Sequence, residues 1–173
     1  MRLQGGLFPV FLAATISGHA VAAEKTVAVF DFELIDTSLE GQMKGVNPAE
    51  TARLGTMAPQ LRVLVAGEPD LAVLDVGPVR EKSLERSLRK CEPCALDLGR
   101  ELGADIVVTG TVQKVSNLIL NINAYGHEVK TGTLVSQGSA DIRGNNDEMW
   151  TRGLDALWKN TLKKQFQAVE AAR

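Results

Sequence analysis

Three runs of β-branched and apolar residues, each set off by sequence of helical character, constrain this chain more than any other feature. They are KTVAVFDFEL (Lys25 to Leu34), DLAVLDV (Asp70 to Val76) and ADIVVTGTVQKVS (Ala104 to Ser116). Runs this apolar read as strands buried on both faces. A polar loop from Ile35 to Val46, with Gly41 and Gly45, follows the first. Asn47 then caps a helix, Pro48 suits its first turn, and Glu50 completes a capping-box pattern. Leu54, Met57, Leu61, Leu64 and Val65 recur at helical spacing down to Gly67, and Pro59 within the run predicts a kink or a division into two. After the second strand Pro78 opens a charged helix, VREKSLERSLRK, that ends before Cys91. Pro93 and Ala95 open another, which Gly103 terminates. Strands joined through helices imply parallel neighbours and right-handed crossovers.

Beyond Ser116 the pattern changes. In NLILNINAYG, Leu118, Leu120 and Ile122 fall on one face and Asn121 and Asn123 on the other, as in a sheet with one wet face. Lys130-Thr131-Gly132 reads as a hairpin turn and Thr133 to Arg143 as the returning strand. Asn145 caps the last helix, with Glu148 three residues on. Trp150, Leu154, Leu157, Trp158, Leu162, Phe166 and Val169 form its apolar stripe, with Lys159, Lys163 and Lys164 off it. The two tryptophans either pack this helix onto the sheet or anchor a partner. The fold class is therefore α/β: a mixed sheet of about five strands, parallel first and ending in an antiparallel hairpin, with helices packed on it and a long amphipathic carboxy-terminal helix.

Residues 1–23 read as a signal peptide. Arg2 starts it, Leu7 to Ile16 supplies a short apolar run broken by Pro9, and Ala20-Val21-Ala22 supplies the small-residue motif, with cleavage after Ala22 or Ala23. The run is shorter than the roughly 20 residues a bilayer requires. No cysteine sits near the cleavage site, so no lipid anchor is expected. Residues 24–173 form the expected single domain. Without Arg2 the chain carries 18 basic and 21 acidic residues, a net −3, which offers no footprint for nucleic acid. No second long apolar run follows, so no integral membrane segment is expected after signal removal. Export would place both cysteines where disulfides persist.

The run GADIVVTGTVQKVSNLILNIN and the stretch SADIRGNNDEMWTRGLDALWKN resemble a family of uncharacterised exported proteobacterial proteins, and AVFDFELIDTS and the C-x-x-C fit that family too. The resemblance covers most of the mature chain. It implies the periplasm of a Gram-negative bacterium and brings no activity with it. A looser similarity joins Val27 to Phe32 and Gly103 to Val112 to the amino-terminal domain of TolB and to curli-assembly CsgG-like domains. That similarity implies a binding or assembly module rather than an enzyme.

Cys91 and Cys94 flank Glu92-Pro93 where a helix begins. A helix amino terminus stabilises a thiolate, as in thiol-disulfide enzymes. Against that chemistry, Lys90 on a charged helix precedes the pair instead of a buried strand, and no tryptophan stands before it. Haem attachment fails because Ala95 follows Cys94. Two cysteines and one distant histidine, His127, do not complete a zinc site. Thiolate copper ligation with help from Met57 or Met149 is a further alternative. The expected reading is a disulfide joining two helices at a tight corner, with a redox pair as the alternative.

Asp31, Glu33, Asp36 and Glu40 form an acidic group. Asp31 and Glu33 are expected on one face of the first strand, opposite Phe30 and Phe32, and Asp75 ends the second strand near the same edge. Carboxyl ends of strands are where α/β sheets bind ligands, and paired carboxylates there would hold a divalent cation or act as acid and base. The plainer reading is a solvated loop with Asp36 and Ser38 in turn hydrogen bonds. Asn117, Asn121 and Asn123 with Lys114 make either a ligand-reading face or the wet side of the hairpin. His127 lies beside a turn. With no G-x-S-x-G, no phosphate loop and a single histidine in the mature chain, no catalytic set, metal or cofactor is expected. The sequence therefore reads as a non-enzymatic periplasmic module that binds an envelope protein or a small ligand. Asp31, Glu33, Asp36, Asn121 and Asn123 are its candidate contacts.

Overall fold

A computed structural model describes residues 24–171. The signal segment, residues 1–23, lies outside the described residues. Six strands form one sheet: β1 (Lys25–Val29), β2 (Glu33–Asp36), β3 (Leu71–Val73), β4 (Ile106–Ser116), β5 (Ile119–Glu128) and β6 (Leu134–Ile142). The order is β3-β1-β4-β5-β6, with β2 beside the second half of β4 in line with β1. β1 is parallel to β3 and β4, and β2 is parallel to β4. β4, β5 and β6 are antiparallel neighbours. This is the mixed α/β sheet expected. The sixth strand arises because the first predicted strand breaks at Phe30 to Phe32.

Six helices accompany the sheet: α1 (Leu39–Lys44), α2 (Pro48–Ala66), α3 (Arg80–Leu84), α4 (Glu92–Leu102), α5 (Asp147–Leu157) and α6 (Lys163–Ala171). Between β2 and α2 the sequence reads as loop, yet Ser38 caps α1 by accepting the Gly41 N–H at 3.0 Å. α2 runs undivided through Pro59. Pro59 and Gly55 are exposed, so the carbonyl four residues before the proline ring faces solvent and its lost bond is tolerated. The expected second strand shrinks to three residues. The charged helix expected to reach Lys90 ends at Leu84, because the chain turns there and buries Leu88. Gly103 terminates α4 in the left-handed region, φ 70°, as a glycine permits.

Two cores flank the sheet. On one face α2, α5 and α6 pack Met57, Leu61, Val65, Trp150, Leu154, Leu157 and Phe166 against Val27, Val108, Val112 and Ile122. On the other, α4 and its approach pack Val79, Leu88, Ala95 and Leu98 against Ala28, Phe30 and Val107. Gly99 allows α4 this approach, since a Cβ there would stand 2.4 Å from Val107 Cγ1. α5 and α6 are joined by a π-helical turn, Trp158–Leu162. Both tryptophans are buried against the sheet. Of the predicted stripe, Trp150 to Phe166 is buried, and the Val169 side chain lies outside the described residues. Asn146, not Asn145, caps α5 by accepting the Met149 N–H at 2.9 Å.

Candidate functional site

The predicted acidic group is divided by one extra residue. Val29 stands opposite Val108 and Glu33 opposite Thr111, so three residues, Phe30 to Phe32, face two, Thr109 and Gly110. Such a step reverses the alternation of side chains. Phe30 enters the α4-side core and Phe32 the α2-side core, instead of sharing a face. The Phe32 ring lies against Gly110, where a Cβ would come 2.2 Å from Cε1. Asp31 is held between two helices, 3.4 Å from Arg62 and 3.0 Å from Arg80. Arg62 also donates to the Val29 carbonyl at 3.1 and 2.6 Å. Glu33 turns to the α4 side and accepts from Ser87 Oγ at 2.6 Å and from the Arg89 N–H at 2.8 Å. Those two bonds hold the chain in its turn beyond α3. Asp75 accepts the Gly77 N–H at 2.9 Å. The carboxylates thus stand apart, each with its own donors. Among the described residues His, Cys, Asp and Glu nowhere gather in a group that would hold a metal ion.

Asp36 belongs to a different assembly, which the sequence reading missed. Lys114 and Glu50 are both 1% exposed by side chain, with Nζ 2.6 Å from Oε1. Asp36 at 3.5 Å and Glu40 at 3.4 Å complete three carboxylates around one ammonium. Asn145 donates to Glu50 Oε1 at 2.6 Å and to Asn117 Oδ1 at 2.9 Å, while its own oxygen accepts from Arg53 and from Trp150 Nε1, each at 3.1 Å. Asn117 donates to Glu40 at 2.7 Å. Burial alone would lower the Lys114 pKa, but the Glu50 hydrogen bond and the charges of Glu50 and Asp36 outweigh it and hold the ammonium above the ordinary lysine value. Burial likewise opposes ionisation of Asp36, yet the two Ser38 hydrogen bonds and Lys114 keep its carboxyl below the usual range. Hydrogen bonds from Asn117, Lys114 and Lys44 do the same for Glu40. The cluster ties β4, α1, α2 and α5 together. Glu50 fits a capping box by its spacing from Asn47, but its side chain is buried in the core, and Asn47 caps through its own oxygen to the Ala49 N–H.

Lys114 and Asn117 are therefore not neighbours of Asn121 and Asn123 on one face. Those two asparagines point to the α4 side, beyond the end of that layer, where part of the sheet carries no helix. Side chains stand there in cross-sheet rows. Ile35, Gln113, Asn121 and Asp141 are in register, as are Glu33, Thr111, Asn123 and Ser139, and then Thr109, Tyr125 and Gln137. Asn121 Nδ2 donates to Ser139 at 2.8 Å and Asp141 at 2.7 Å, and Ser139 donates back to its oxygen at 3.0 Å. A cleft of about 260 Å³ runs between this face and Leu88, Arg89 and Ala95, floored by Thr109, Tyr125 and His127. At the other end the surface turns apolar. Val115 and Ile119 are each 50% exposed, and Leu118, expected on the buried face, sits in the turn at 69%.

Cys91 and Cys94 form a disulfide with Cα atoms 5.3 Å apart. Cys91 is the amino-terminal cap residue of α4, and the Cys94 N–H donates to its carbonyl at 3.0 Å. Because α3 ends early, the bridge joins a turn to the first turn of α4 rather than two helices. Cys94 packs against the α4-side core.

The fold is shared with known structures at low identity. The lipoprotein GNA1162 from Neisseria meningitidis aligns with TM-score 0.53 and 15% identity, covering 79% of this chain and 95% of that one. The LpoB carboxy-terminal domain from Salmonella enterica aligns with TM-score 0.51 and 17% identity, covering 72% and 86%. E. coli LpoB gives TM-score 0.51 and 14% identity over 83% and 80%. No curated protein matches the chain. Residues 25–162, from the first residue of β1 through the π-helical turn, match the family described as Protein of unknown function (DUF2380). The chain belongs to that family, DUF3280.

Proposed function

We propose that this protein is a non-enzymatic binding or assembly module of the periplasm, and that it holds an envelope partner protein against the uncovered face of its sheet. The observation that carries the reading is the bare half of the sheet, where polar rows from β2 to β6 lead to an exposed apolar hairpin tip. A polar face with an aromatic residue at its centre and an apolar margin has the composition of a protein interface. Glu33, Asn121 and Asn123 are contacts in this reading, and Asp31 and Asp36 support the margins. A fold shared with a lipoprotein of Neisseria meningitidis supports the envelope setting. The test is site-specific photo-crosslinking in cells, with the reactive residue at Asn123 or Tyr125 and a control at Val63 on α2, which is also exposed. One discrete protein adduct from the two face positions alone is expected. No adduct, or an equal one from Val63, refutes the reading.

A second reading, a thiol-disulfide protein acting through Cys91 and Cys94, has one observation behind it. Cys91 caps α4, and the Arg86 guanidinium lies 3.9 Å from Cys94 Sγ; both favour a thiolate. A reduction potential below about −300 mV would mark the bridge as structural, whereas one between roughly −120 and −230 mV would place it among oxidoreductases.

A further inference from the structure

A helix on a protein surface normally turns its apolar residues to the core and its polar ones to water. In α1 this order is inverted. Its cap, Ser38, is buried. Glu40 reaches inward to Lys114 at 3.4 Å and accepts from Asn117 at 2.7 Å. Gly41 lies against the Asp36 carboxylate, with no room for a Cβ. Leu39 and Met43, four residues apart and so on one side of the helix, face outward and are 71% and 76% exposed. Val46, just beyond Gly45, is 83% exposed. Leu118 follows Asn117 in the β4–β5 turn and is also exposed, and the Asn117–Glu40 bond ties that turn to α1. No residue of α1 itself is buried. Polar bonds hold the segment in place while its apolar side chains stand in water at one end of the sheet.

The charges there are sorted in the same sense. Asp36 and Glu40 are drawn in to Lys114, and Glu50 is buried. Between Glu40 and Glu50 the exposed residues include no acid, and their one charge is Lys44. Its ion pair with Glu40, at 3.4 Å, is solvent-exposed and holds it weakly. At the start of α5, Asp147 and Glu148 pair with Arg53 and Arg152. Outward apolar side chains beside an outward lysine, with the acids withdrawn, match the headgroup layer of a bilayer. Apolar groups there enter the acyl boundary and a lysine stays among the phosphates.

We propose that this end of the molecule docks on a phospholipid bilayer, with Leu39, Met43, Val46 and Leu118 at the acyl boundary and Lys44 against the lipid phosphates. The β4–β5 turn lies at this end, so the bare face of the sheet stands upright from the membrane and stays open to a protein partner. The experiment floats residues 24–173, which contain the whole sheet and both cores, with vesicles of phosphatidylethanolamine and phosphatidylglycerol. The natural chain should float with them. M43S/L118S should lower its partitioning about tenfold or more, since two apolar side chains lose their burial. K44E should lower it about fivefold or more. Val63→Ser, exposed towards the far end of α2, should leave it unchanged. All these side chains are exposed, so thermal unfolding of the variants should match the natural chain, which separates lost docking from lost folding. If M43S/L118S unfolds early, K44E carries the test. A natural chain that does not float, a folded M43S/L118S or K44E that floats as well as the natural chain, or an equal loss in V63S overturns the proposal.

Discussion

Replacing Lys114 with Met tests the buried cluster most directly. The substitution keeps the length of the side chain and removes its charge, leaving Glu50 in a site where side chains are 1% exposed. Breaking a buried pair by removing one partner costs about 3–5 kcal/mol. Asn145 still donates to Glu50 Oε1 at 2.6 Å, which favours the lower end. Glu50 Oε2 is buried without a partner even in the intact cluster, so nothing else nearby compensates. At about 2–4 °C per kcal/mol for a domain of this size, a cost near 3 kcal/mol lowers the Tm by about 6–12 °C. Urea unfolding followed by tryptophan fluorescence reads this well, since Trp150 is buried and bonded to Asn145. The double variant K114M/E50L should recover most of the loss, because apolar groups replace both ends of the pair. The surface pair Arg152–Glu148, about 70% exposed at both ends, serves as contrast; R152A should cost below about 0.5 kcal/mol. A K114M cost under about 1 kcal/mol, or a double variant no more stable than the sum of its parts, would refute the argument.

Asp36 and Glu40 titrate below their ordinary values of 3.8 and 4.5. Their stabilisation is therefore complete above those values and is lost as pH falls through the folded-state ones. Lys114 is raised above 10.5, so its contribution is complete below that value and is lost as pH rises through the folded one. Urea midpoints measured against pH should fall at both extremes, and K114M should flatten both limbs. Gly110→Ala should cost about 1–3 kcal/mol, since its Cβ would meet the Phe32 ring at 2.2 Å. Phe32→Leu should relieve part of that loss in thermal unfolding, and an unchanged Tm in G110A would show that the ring moves freely.

The order of elements was legible because its signals are long. β4 and β5 carry nine or more residues of unbroken strand character, and α2 and α5 repeat their apolar residues at helical spacing. The step at Phe30 to Phe32 left no such mark. Phe-Asp-Phe-Glu alternates as smoothly as any strand, and the extra residue shows only against β4. Glu50 was legible in principle, since it precedes Leu54, Met57 and Leu61 at helical spacing and so continues the buried stripe. Lys114 too falls on the parity of Ile106, Val108 and Val112. Each was read by its charge instead of its position, which hid a pair that neutralises itself. Adjacent asparagines, Asn145 and Asn146, differ in role only through what each can reach.

The π-helical turn at Trp158–Leu162 has a consequence for how this helix is inherited. Trp150, Leu154, Trp158, Leu162 and Phe166 repeat every four residues, and all are buried. An α-helix turns about 100° per residue, so each four-residue step overshoots by about 40° and four steps by about 160°. A regular helix would carry Phe166 almost to the far side from Trp150. One wide turn absorbs about one extra residue, or roughly 100°, and leaves the two about 60° apart, within the width of one apolar face. The helix is thus geared to the sheet by its length as well as by its composition. Relatives that lose a single residue in this turn would have to re-space their apolar side chains, so residue count and spacing there must change together.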